Sequence, residues 1–189
     1  MLSCVIFTGD PKNALELDDF DPLGTWAAKS WDVLRVLDGY AAARRHGEFS
    51  KGVHAYLGHT PPGRPGYPPG AHSTQESELV ERSPRLRKLR VFPVPRDIHP
   101  DGAIFMDAHF KIARKGLVSP RIYYLDDASQ TGKIYVGYIG KHLPNAHTNY
   151  VFTAAVSLST TGRTSPRSHP RARRGVNRGR QSTVQPNQR

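Results

Sequence analysis

Asp107 and His109 stand two residues apart in AIFMDAHFKIA, residues 103–113, where apolar and polar residues alternate. On an extended strand that spacing places both side chains on one face. A carboxylate and an imidazole so placed can act as an acid–base pair or begin a metal site. Asp126 and Asp127 in the following turn, and His142 beyond it, are further donors, so Asp107, His109 and Asp126 form the candidate metal-ligand set. The same residues also read as a solvated strand face and a turn, since Asp in turns bonds its own backbone. The other histidines (His46, His54, His59, His72, His99, His147 and His169) lie in loop-like sequence without ligand spacing. A lone cysteine, Cys4, excludes an internal disulfide and a multi-cysteine zinc site. There is no Gly-x-Ser-x-Gly elbow and no phosphate-binding glycine loop. Gly137-Tyr-Ile-Gly140 lacks the third glycine and the helix of a dinucleotide fingerprint, so no cofactor is expected.

Cations form the second constellation. Arg85, Arg87, Lys88 and Arg90 cluster in SPRLRKLR, and Arg171, Arg173, Arg174, Arg178 and Arg180 fall within ten residues of the tail. Guanidinium groups suit phosphate geometrically and stack on bases without reading sequence. With Tyr123 and Tyr135 read as exposed nearby, weak non-specific nucleic-acid binding is expected. A solvated tail that adheres to any polyanion is the plainer reading, and nothing supports sequence-specific recognition.

Charge varies along the chain. Residues 1–84 carry 8 basic and 11 acidic side chains, residues 85–154 carry 11 and 5, and residues 155–189 carry eight arginines and no acid. The total is +11 over 189 residues, with 37% apolar residues, 17 glycines and 16 prolines, which suits a modest core with long segments outside it. No run approaches the roughly 18 apolar residues of a membrane span. The opening MLSCVIFTG has no basic n-region, so no signal peptide and a cytoplasmic location are expected.

The elements that must position these groups are few. From Ser30, SWDVLRVLDGYAAARRHG places Trp31, Leu34, Leu37 (or Asp38) and Ala41 at helical spacing, with Ser30 as N-cap and Gly47 at C′. An earlier start at Asp21-Pro22 is open as well. Gly39 costs about 1 kcal/mol of helix propensity. Residues 58–74, with five prolines and four glycines, read as a linker. TQESELVERS reads as a short helical turn and LRVFPV as an edge strand, because Pro93 cannot donate to a ladder. Residues 103–113 read as one strand, with Ile104, Met106, Ala108, Phe110 and Ile112 on the inner face. RIYYL (121–125) and KIYVGYI (133–139) read as a hairpin. The fold class is α+β: one amphipathic helix, then a small antiparallel sheet of three to four strands, with long disordered segments. The expected divisions are 1–57 helical, 58–74 linker, 75–156 β-rich domain and 157–189 disordered basic tail.

IYYLDDASQTGKIYVGYIGKH resembles the opening of the GIY-YIG nuclease family. Ile122-Tyr123 matches its first element and the run Gly132 to Gly137 its second. That resemblance implies a metal-dependent phosphodiesterase using Tyr123 and Tyr135, to which the strand spacing adds His109. The chain departs from the family where it has Arg121 in place of the leading glycine. It has no later arginine before Arg163, and its last glutamate is Glu81. The longer stretch 91–149 resembles the closing segment of an uncharacterised group of actinobacterial proteins, which brings no activity with it. Past Asn149 the Ser-Arg-Pro-Gly composition is that of GC-rich DNA read in an unintended frame, so a truncated or frame-disturbed remnant is a third reading. The favoured one is a non-enzymatic accessory or interaction protein that contacts nucleic acid through its basic segments. No membrane partner is expected, and no protein partner can be named from the sequence.

Overall fold

The computed structural model describes residues 1–113 and 118–145. In chain order its elements are β1 (Val5–Phe7), α1 (Pro11–Leu15), α2 (Thr25–Arg45), α3 (Val53–Gly58), β2 (His72–Ser73), α4 (Glu78–Arg82), α5 (Pro84–Lys88), β3 (Val91–Pro93), β4 (Ala103–Phe105), β5 (His109–Lys111), β6 (Arg121–Asp127) and β7 (Lys133–Gly140). The mixed helix and strand content is that of an α+β protein. Five strands form one sheet in the order β1-β7-β6-β5-β2, antiparallel except for β1 against β7, and β3 pairs with β4 separately. No helix among the described residues is long and apolar enough to cross a membrane. The tail 157–189, read as disordered, lies outside the described residues with its arginines at 171, 173, 174, 178 and 180.

α2 starts earlier than the Ser30 reading. The Asp21 carboxylate accepts the amides of Thr25, Trp26 and Ala27 at 2.9, 2.6 and 3.1 Å, satisfying the orphan donors of the first turn. Ser30 is buried on the inner face, and Trp31 stays half exposed. The buried stripe is Val33, Val36, Leu37, Tyr40, Ala41 and Ala43, rotated from the expected one toward the sheet. Gly47 closes the helix at φ 74°, with the Glu48 amide donating to the Ala43 carbonyl, as its C′ assignment requires.

The stretch read as a linker packs instead. The Tyr56 hydroxyl donates to the Pro65 carbonyl at 3.0 Å, and the Tyr67 ring stands edge-on to Phe110 with centroids 6.0 Å apart. A side chain on Gly39 would meet Pro65 Cγ and Cδ at 2.7 Å, so this glycine permits a close approach. The stretch ends in a 3-10 turn, Pro69–Ala71, and then β2, which pairs with β5. Residues 1–57 and 75–145 thus share one hydrophobic cluster across it: Leu37, Tyr40 and Tyr56 meet Phe110, Ile122, Tyr124 and Ile134.

The strand expected over 103–113 is broken at Asp107. Its carboxylate accepts the Ala108 amide at 2.8 Å and its carbonyl lies 2.8 Å from His109 Nδ1. Consequently Ile104 and Met106 join a second cluster, while Phe110 and Ile112 stay in the first. The β6–β7 hairpin forms as expected, but its register shifts between Tyr123 (opposite Tyr138) and Tyr124 (opposite Val136), leaving Gly137 unmatched. Such a bulge reverses side-chain parity along one strand, so Tyr135 and Tyr138 both enter the second cluster with Tyr123, Phe92 and Met106. A Cβ on Gly137 would press on Phe92 Cβ and meet Met106 Sδ at 2.8 Å. Gly137→Ala should cost about 1–3 kcal/mol through overpacking, read as a lower urea midpoint at an unchanged slope.

Candidate functional site

On the second face of the sheet Glu76, just before α4, is a hub. Its Oε1 accepts Arg90 Nε at 2.7 Å and the Tyr123 hydroxyl, and stands 4.0 Å from His109 Nδ1. The Arg90 side chain has 1% of its surface exposed and that of Glu76 10%, so this is a buried ion pair. Arg90 Nη1 also donates to the Leu86 and Pro144 carbonyls at 3.1 and 3.2 Å, fastening α5 to the segment after β7. Burial alone would raise the Glu76 carboxyl. The hydrogen bonds from Arg90 and Tyr123 reverse that and hold it below its ordinary value. Burial, joined by the Glu76 charge, pushes the Tyr123 phenol far up, so it is a neutral donor rather than a nucleophile. His109 lies over Tyr123 at 4.8 Å, and burial lowers its pKa against the opposing pull of the Asp107 carbonyl. Kept neutral, it donates through Nδ1 to that carbonyl, which leaves Nε2 as an acceptor.

The residues that would serve nuclease and metal chemistry do not assemble. Tyr123 and Tyr135, read as exposed, are buried at 1% and 4%. His109, read as solvent-facing, is buried as well. Asp126 turns toward α2, where it accepts the Tyr40 hydroxyl at 2.7 Å and the Ala128 amide at 3.1 Å. Asp107 caps its own kink. Among the described residues no three of His, Cys, Asp and Glu come together to hold a metal. Cys4 is a buried free thiol in the first core.

The first cationic cluster is split by its helix. Pro84 opens α5 and Ser83 Oγ accepts the Leu86 amide at 3.4 Å. Leu86 turns inward and anchors it, and Arg90, one turn on, follows it into the interior. Arg85, Arg87 and Lys88 therefore point outward and are exposed. Arg87 lies 3.9 Å over the Phe105 ring, and no carboxylate pairs with any of the three among the described residues. Nothing in the local sequence marks Glu76 as a hub. Arg121 stands out in the sequence only as a departure from a glycine.

Fold and site define an α+β protein with a mostly antiparallel sheet, a buried ionic hub and an outward cationic helix. No family model, curated protein or solved structure matches the chain.

Proposed function

We propose that this is a non-enzymatic accessory protein of the cytoplasm that binds nucleic acid without sequence preference. Arg85, Arg87 and Lys88 make the phosphate contacts, joined by the arginines of the tail. The observation that carries this reading is the α5 surface: three neighbouring exposed cations with no acidic partner among the described residues. Unpaired cations on one short segment match a backbone of closely spaced phosphates, and contacts of that kind position a protein without reading bases. Buried Tyr123 and Tyr135 offer no stacking platform, which favours backbone contact over base contact. The free thiol of Cys4 fits a reducing compartment.

The test is fluorescence-anisotropy titration of two duplexes of unrelated sequence at low salt. Both should bind alike, and Arg85→Gln/Arg87→Gln/Lys88→Gln should weaken both by about a hundredfold, each removed cation contributing on the order of 1 kcal/mol. Equal binding by the triple variant would assign the contact elsewhere.

A further inference from the structure

Arg121 is a buried cation that forms no ion pair with any acidic side chain of this protein. It opens β6 and is 8% exposed. Its Nη1 is spent on backbone, donating to the Ala113, Ser119 and Pro120 carbonyls at 2.8, 2.8 and 3.0 Å. Its Nε is buried with no hydrogen-bond partner, the one such side-chain atom among the described residues. The edge that carries Nε–H, with Nη2–H beside it, is the planar fork that takes two oxygens of a carboxylate or phosphate side by side. Leaving a buried guanidinium donor unanswered is costly.

The missing partner is not an acidic side chain of this chain. All 16 of its Asp and Glu residues fall within the described part, and none forms an ion pair with Arg121. Glu76, whose charge acts on Arg121 from a distance, is committed to Arg90 and Tyr123. The cross-strand partner of Arg121 supplies no carboxylate either. Lys111 is the cross-strand partner of Arg121 on β5, and like charges directly opposite one another repel. His142 is fastened beside the same turn by its amide, which donates to the Val118 carbonyl at 2.9 Å. Arg121 is the foremost charge acting on the half-buried His142 ring, and it acts on His109 too.

We infer that the Nε–Nη2 edge of Arg121, with His142 and Lys111 beside it, is a binding site for a small phosphate-type oxyanion, distinct from the α5 surface. An anion there answers the orphaned Nε–H. Its source is either free inorganic phosphate or the terminal phosphate of a monoester.

The experiment uses the full chain with inorganic phosphate, against chloride at matched ionic strength, read by 31P line broadening and by the histidine ring signals. Wild type should show saturable broadening, with the His142 and His109 signals moving while those of exposed His46 and His59 stay. Arg85→Gln/Arg87→Gln/Lys88→Gln should leave this response intact, and Arg121→Gln should weaken it about tenfold or more. Should Arg121→Gln not fold, His142→Gln takes its place and should weaken binding severalfold. A response no larger than that of chloride, or one that survives at Arg121 or moves no ring signal of His142, overturns the site. Displacement of phosphate by a mononucleotide assigns the monoester, and failure to displace it assigns the free ion.

Discussion

Arg90→Met should be the most damaging single substitution outside the first core, costing about 3–5 kcal/mol, because it leaves the Glu76 carboxylate buried without its cation. Arg90 is fully buried, and its hydrogen bonds to Glu76, Leu86 and Pro144 bind the hub, α5 and the segment after β7 together. The double variant Glu76→Gln/Arg90→Met should recover part of the loss, since removing both charges removes the stranded one. Urea unfolding of the two singles and the double closes the cycle. Strict additivity would contradict a coupled buried pair.

Acid should be the second large effect. His72 on β2 has its Nδ1 3.2 Å from His54 Nδ1 and its Nε2 2.7 Å from the buried Tyr124 hydroxyl. The two imidazole centroids are 5.5 Å apart, and the rings approach through their Nδ1 atoms. Burial first, then the neighbouring His54, His109 and Lys111, pushes the His72 pKa down to about 4. Above the ordinary value of 6.5 both folded and unfolded chains hold it neutral. As the pH falls below that value the unfolded chain takes up a proton that the folded one refuses, so stability is lost progressively until about pH 4. The full loss is about 3 kcal/mol. His109 and His142, also lowered by burial, act in the same direction. Glu76, held below its ordinary value, contributes stability that is lost only at more acid pH. Urea midpoints measured from neutral pH down toward the His72 pKa should fall steeply in wild type and less so in His72→Gln. The same fall in both would remove His72 from the account.

What can be read from the sequence is local. The β6–β7 hairpin, Pro93 on an edge strand and Gly47 at C′ each follow from the chemistry of neighbouring residues. The inner face of α2 differs from the expected one because Trp31 and Leu34 fit helical spacing as well as Val33 and Val36 do, and only the sheet decides between the stripes. One strand is expected where two exist because the apolar–polar alternation runs on through Asp107, whose side chain breaks the ladder. β1 and β2, at three and two residues, are too short to carry a period and are held by partners far along the chain. Glu76 is invisible in the sequence for the same reason, its partners lying 14 and 47 residues away.

The most direct test of the proposed function is the salt dependence of duplex binding, plotted as the logarithm of the binding constant against that of salt concentration. Wild type should give a steep negative slope, and Arg85→Gln/Arg87→Gln/Lys88→Gln should reduce it by up to about 2.7, roughly 0.9 for each phosphate no longer neutralised. A slope unchanged by the three substitutions, or binding indifferent to salt, would contradict phosphate contact through α5.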